Sequence, residues 1–159
     1  MKINLGCGRS PIDGWINVDN TKKEKTLNDF PQIKRMDVTE IPWEYEDNIF
    51  DYIFTEHMME HVDENKVLGV LKECYRTLKI GGAMRLLIPD KVFYQQLTDD
   101  HVFVKNYAQR IFKRPFQRGD GNRIKHRGIN QQGHVWMPTT QELDRKMAEA
   151  GFKDTSFCE

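Results

Sequence analysis

The chain has 159 residues, enough for one domain around one hydrophobic core. Lys+Arg and Asp+Glu both number 24, so the formal net charge is zero, and no apolar run approaches the roughly 18 residues that a membrane-spanning helix needs. The N-terminus enters an apolar segment at once (Met1-Lys2-Ile3-Asn4-Leu5) without the long apolar stretch and cleavage site of a signal peptide. The cysteines Cys7, Cys74 and Cys158 are few, odd in number and far apart, which argues against a disulfide framework and for a reducing cytoplasm.

Short apolar runs alternate with helical patterns, the signature of a doubly wound, mostly parallel α/β sheet. Lys2–Leu5 reads as the first strand and ends at Gly6-Cys7-Gly8. Trp15–Val18 reads as the second and ends at Asp19. Ile33–Met36 is a weaker third, ending at Asp37, and Phe50–Phe54 a fourth. A helix follows, with Val67, Leu68, Leu71, Cys74, Tyr75 and Leu78 at three- and four-residue steps, Asp63 and Glu64 at its start, and Lys79 and Gly81-Gly82 at its finish. Ala83–Ile88 reads as the fifth strand. A second helical region starts after Asp90, with Phe93 and Leu97 on one face, and restarts after Asp99-Asp100 to run to about Lys113. Residues 114–138 lack periodicity and read as a long inserted loop. The last helix opens with the capping box Thr139-x-x-Glu142, carries Leu143, Met147 and Ala150, and stops at Gly151. Phe152–Cys158 reads as a final strand.

Charge is unevenly spread. Residues 1–104 carry 13 Lys+Arg against 18 Asp+Glu, whereas residues 105–127 carry 8 Lys+Arg against Asp120 alone. The basic stretch Lys105–Arg127, interleaved with Tyr107, Phe112 and Phe116, reads either as a solvated loop or as a contact surface for an anionic partner such as nucleic acid.

Glycines after a buried strand let a ligand come close to the backbone. A dinucleotide fingerprint would need a third glycine and a helix to hold pyrophosphate. Here Pro11 takes that glycine's place, and only six residues, Arg9–Gly14, separate Gly8 from Trp15. The turn therefore suits a ligand without phosphate. Asp19 and Asp37, each following a strand, could accept ribose hydroxyls and an adenine amino group. Either alone is commonly a turn residue; in combination they fit a nucleoside with a cationic tail.

The combination resembles the class I S-adenosylmethionine (SAM) dependent methyltransferases. It is carried by Lys2–Gly8, Gly14–Asp19, Met36-Asp37-Val38, Phe50–His57, Glu60-His61-Val62 and Leu71–Gly82. Within that family it resembles small bacterial and phage-type members. The resemblance implies a Rossmann-like fold over residues 1–159 as a single domain. It implies SAM bound by Leu5, Gly6, Cys7 and Gly8 at its methionine and ribose parts, by Asp19 at the ribose, by Asp37 and the Val38 backbone at adenine, and by Thr55 and Glu56 near the sulfonium. Against the family pattern, Asn4 replaces an acidic residue, the helix after strand one is missing, and the seventh, antiparallel strand is missing. An open sheet edge is then expected, covered by residues 100–138 or by a second copy in a homodimer.

His57-Met58-Met59-Glu60-His61 sets two imidazoles four residues apart with a carboxylate between them, and Gly133-His134 follows late in the loop. His57, Glu60, His61 and His134 could together hold a divalent metal such as Zn, Mn or Fe. This arrangement resembles the E-x-x-E-H plus distant His of small-RNA 2′-O-methyltransferases and ubiquinone-pathway O-methyltransferases, with His57 in place of the first Glu. Alternatively His57, His61 and His134 supply a general base without metal, or are structural. The expected activity is O-methylation of a sugar or other small hydroxyl compound. Nucleic-acid methylation and a non-catalytic SAM-binding module are the alternatives.

Overall fold

The computed structural model describes residues 1–21, 28–102, 104–105, 117–124 and 134–157. Among the described residues five strands form one parallel sheet: β1 (Lys2–Leu5), β2 (Ile16–Asp19), β3 (Ile33–Arg35), β4 (Phe50–Glu56) and β5 (Leu78–Leu87), in the spatial order β3-β2-β1-β4-β5. Ile3, Asn4 and Leu5 are buried on both faces of the central strand, as expected of a parallel sheet covered on each side.

Helix α1 (Glu64–Thr77) starts at Asp63, whose side chain accepts from the Asn65 N–H, and buries Val67, Val70, Leu71 and Cys74. At about 14 residues such a helix is marginal alone. Its stability comes from that stripe, about 1.5–3 kcal/mol for each large side chain removed from water. A short helix α2 (Lys91–Gln96) follows β5, with Asp90 accepting from the N–H groups of Val92 and Phe93. Helix α3 (Thr140–Ala150) packs on α1. It has the expected capping box between Thr139 and Glu142 and ends at Gly151 in the left-handed region (φ 111°). A side chain there would strike Tyr75, whose Cε1 lies 2.8 Å from the position of an added Cβ. The core joins Ile3, Leu5, Val18, Phe50, Ile53, Leu71, Trp136, Leu143 and Met147.

The missing helix after strand one is observed: residues 6–15 contain turns only. Asn17 replaces it as the anchor. Its Oδ1 accepts from the Ile12 N–H (2.8 Å) and from Asn4 Nδ2 (3.3 Å), and its Nδ2 donates to the carbonyls of Ile12 (2.9 Å) and Trp15 (3.0 Å). One buried amide thus uses its full hydrogen-bonding capacity to fold the crossover back on the sheet.

Several expected boundaries move. The helix expected to finish at Gly81-Gly82 ends at Thr77, whose hydroxyl bonds back to the Glu73 carbonyl (2.8 Å), and Leu78 is already extended. The two glycines lie inside β5, where its register against β4 shifts between Phe50 and Tyr52. Residues 152–157 are neither strand nor helix, which corrects the expected final strand; Cys158 lies outside the described residues. Residues 120–124, expected as loop, are helical, with Asp120 and Ile124 buried. Asp99 holds this turn by accepting from the N–H groups of Gly119 and Gly121. Most of the basic stretch, including Tyr107, Phe112 and Phe116, lies outside the described residues. The expected open edge is β5, which among the described residues pairs only with β4 and carries Ile80 fully in solvent. Among the described residues no helix is long and apolar enough to cross a membrane.

Candidate active site

Strand order reverses between β1 and β4, and in open parallel sheets that switch point is where ligands bind, beyond the carboxyl ends of the strands. Gly6-Cys7-Gly8 leaves β1 there, and Glu56-His57-Met58 leaves β4 beside it.

The two glycines serve different purposes. Gly6 (φ 67°) is filled by protein: an added Cβ would lie 2.3 Å from Met58 Cγ. Gly8 (φ 55°) has no atom within 4 Å of an added Cβ, so it faces open space. Its N–H donates to Asp19 Oδ2 (2.8 Å), which ties the tip of β2 to the turn. The Cys7 N–H donates to the Val18 carbonyl (3.0 Å), and burial raises the Cys7 thiol to about 11, helped by the Asp19 charge. Cys7 is therefore a neutral packing thiol, not a nucleophile.

Asp37 turns inward on its own segment. It accepts from the N–H and hydroxyl of Thr39 (2.9 and 2.8 Å) and from Asn20 Nδ2 (2.7 Å), and the Thr39 N–H is the main cause of its lowered pKa. The Val38 carbonyl accepts from the Trp43 indole (2.9 Å). Leu5 is fully buried in β1. Thr55, opposite Leu5 in the sheet, is fully buried and its hydroxyl has no partner, while Glu56 is exposed at the strand tip.

Beyond β4 the chain makes a left-handed residue at His57 (φ 51°), then a 3-10 turn, Met59–His61. That turn buries Met59 and Glu60 completely and leaves His61 exposed. The segment at 134–136 crosses over it: the N–H groups of Val135 and Trp136 both donate to the Glu60 carbonyl (2.8 and 3.2 Å). His134 is thereby brought against the turn, its ring 5.1 Å from that of His61 in an edge-to-face arrangement. Ligand atoms of Glu60, His61 and His134 all lie within 4.8 Å of one another. His57 does not join this set. Its Nδ1 sits 3.0 Å from Glu60 Oε1, and its side chain is largely exposed. Trp136 is core, with the Lys146 ammonium over its ring.

The residues the sequence did not single out are Asn17, which shapes the crossover, and Met58, which joins the glycine turn to the histidine turn. A buried asparagine within an apolar strand was the available signal for the first. Nothing local marks the second.

Residues 11–86 match the family model described as a methyltransferase domain. Among solved structures, a SAM-dependent methyltransferase from Archaeoglobus fulgidus is similar at TM-score 0.62 and 16% identity, over 96% of this chain and 61% of that one. A SAM-dependent methyltransferase from Mesorhizobium loti is similar at TM-score 0.60 and 13% identity, over 94% of this chain and 72% of that one. The fold is that of the class I methyltransferases. A further methyltransferase of this fold, from Thermotoga maritima and described as a possible histamine N-methyltransferase, gives TM-score 0.57 and 18% identity, over 96% of this chain and 64% of that one. The chain thus spans less than two thirds of the length of the Archaeoglobus and Thermotoga methyltransferases. No curated protein matches it.

Proposed function

We propose that this chain is a SAM-dependent methyltransferase that methylates a hydroxyl of a sugar or other small compound. The observation that carries this reading is the junction at the strand switch point. A glycine turn pinned to Asp19 and a turn bearing Glu60 and His61 are joined there through Met58 on Gly6.

The residues fit SAM as a ligand without phosphate. Gly8 leaves room beside the backbone, and no helix N-terminus follows it to bind pyrophosphate. Asp19 presents a carboxylate at the β2 tip for ribose hydroxyls, and Leu5, Cys7 and Thr55 are buried at the switch point, Leu5 and Thr55 paired across β1 and β4. Asp37, just past β3 and engaged with Thr39 and Asn20, is the acidic group assigned to the adenine amino group in this reading. Bound SAM would supply a methyl group on a sulfonium, a good leaving group for in-line displacement. The chain's own residues must then orient the acceptor, exclude water and take the hydroxyl proton. His57, His61 and His134, beyond the end of β4, are the candidate bases, with Glu60 buried among them.

The nucleic-acid alternative rests on Lys105–Arg127. Of its described side chains, Arg123 is already paired with Asp120 (3.4 Å).

Calorimetry with SAM and S-adenosylhomocysteine tests the donor site, and methyl-labelled SAM with separate panels of sugars, small hydroxyl compounds and oligonucleotides tests the acceptor. Binding that is lost in Asp19→Ala, with label transferred to a hydroxyl, is the expected result. A protein that binds neither nucleoside, or labels only nucleic acid, overturns the reading.

A further inference from the structure

We propose that the outer edge of β5 is an interface between two copies of this chain, paired antiparallel about a twofold axis at Met84. The inference is independent of the methyl-transfer reading. Among the described residues β5 pairs only with β4. Its other edge therefore presents N–H and C=O groups that no strand takes up, and such an edge is a template for another chain.

The sheet itself fixes which groups point outward. The Leu87 carbonyl accepts from the His57 N–H (3.0 Å), on the β4 side. Successive residues of a strand turn their polar groups to opposite edges. Ala83 and Arg85 therefore also bond toward β4, while Met84 and Leu86 point away from it. From Ala83 to Leu87 the register against β4 is regular, and Arg85 is the only charged residue in that stretch. Edges that avoid pairing carry more charge, or a proline. Met84 and Leu86 pack on the core but are only partly buried. A strand laid alongside would complete their burial.

The side chains of the other face say what that strand is. Arg85 is exposed and makes no ion pair among the described residues. Ala83 is exposed on the same face, and Tyr52, its neighbour on β4, is half-buried, with Trp15 packed edge-to-face on the ring (5.7 Å). In an antiparallel pair about Met84, this residue exchanges both hydrogen bonds with its own copy, and Arg85 stands opposite the second copy's Ala83. The second copy's Tyr52 is one strand further, roughly 10 Å away between Cα atoms, or two strand spacings. The small Ala83 leaves that lane open, and an arginine can span it to set its guanidinium over the ring. The axis repeats the contact, so each copy gives one cation and receives one, which is the self-complementarity of an isologous dimer. An axis at Arg85 instead would set the two guanidinium groups against each other. The overlap is short, so the dimer dissociates on dilution.

The test is sedimentation equilibrium of the full chain over a range of concentrations, with hydrogen exchange read at both ends of the range. The mass should rise from 18.8 kDa toward twice that value. The amides of Met84 and Leu86 should gain protection as the dimer forms, while those of Ala83 and Arg85, already bonded to β4, stay as they were. Ala83→Arg, at an exposed position, sets like charges opposite each other on both sides of the axis and should raise the dissociation constant by about 10-fold or more. Adding Arg85→Glu should restore it, because the new acid then faces the new base across the axis. Circular dichroism on both variants checks the fold. A monomer at every concentration, a dimer whose Met84 and Leu86 amides exchange freely, or one indifferent to Ala83→Arg overturns the proposal.

Discussion

Met58 occupies the space that a side chain on Gly6 would need. The sulfur-bearing side chain leaves β4 and lies across the turn that leaves β1, 2.3 Å from where a Cβ on Gly6 would stand. Gly6→Ala should therefore destabilise the fold by about 2 kcal/mol or more, combining overpacking with a left-handed backbone. Adding Met58→Ala should return part of that loss. Gly8→Ala meets nothing within 4 Å and should cost only about 1–2 kcal/mol for its left-handed backbone, while lowering affinity for SAM. Urea denaturation and calorimetry on the same variants separate the two glycines. Equal stability losses would contradict the difference.

Asn17→Ala removes the amide that stands in for a crossover helix and leaves the Ile12 N–H and carbonyl without their partner. A loss of about 1–3 kcal/mol is expected for each buried group that finds no substitute. Hydrogen exchange should rise through residues 8–15 before the rest of the sheet loosens. Uniform loosening of the whole sheet would show that Asn17 is a general core residue.

Acid should attack one clamp early. Glu73 accepts from Arg76 through both oxygens (3.0 and 2.8 Å) and from the Trp43 N–H (2.7 Å), and the Arg76 bonds are the main cause of its lowered pKa. A carboxyl depressed in the fold contributes stability that is fully present above its ordinary value of 4.5 and is lost as pH falls through the folded value. Glu73→Gln should lower stability at neutral pH and flatten its dependence on pH below about 4.5. An unchanged acid slope would remove Glu73 from the account.

The Asp99 carboxylate holds the turn at 117–124 through Gly119 and Gly121, and an added Cβ on Gly121 would be 2.7 Å from the Asp99 nitrogen. Asp99→Ala should speed tryptic cleavage after Arg118 and Arg123, mapped by mass spectrometry, with little effect on thermal unfolding. Cleavage at the wild-type rate would mean the turn is held by Asp120 and Ile124 alone.

Strands β1 to β4, helix α1's apolar stripe and both ends of α3 were legible because each depends on residues close in sequence. Thr139 with Glu142, and Gly151 after Ala150, are local signals with local causes. The errors came where a distant partner decides. Leu78 continues the helical stripe, yet it pairs with Phe50 and is strand. Phe152 alternates like a strand residue, yet it packs its ring on Tyr75 (5.4 Å). The candidate site divides the same way. Gly8, Asp19 and the Glu60-His61 pair were visible as motifs. His57 was indistinguishable in sequence from a metal-binding residue, and only the fold shows it reaching Glu60 from outside the cluster.

The brevity of the connection between β1 and β2 bears on how the chain acquires its structure. Ten residues, 6–15, join the strands, and Ile3 meets Ile16, whereas Leu5 must find Thr55 and Phe50 must find Leu78. Closing the shorter segment forfeits the least chain entropy, so the β1–β2 pair should already be formed at the rate-limiting barrier. Val18→Ala should then slow refolding while leaving the unfolding limb nearly unmoved, and the same truncation at Met147 in α3 should do the reverse.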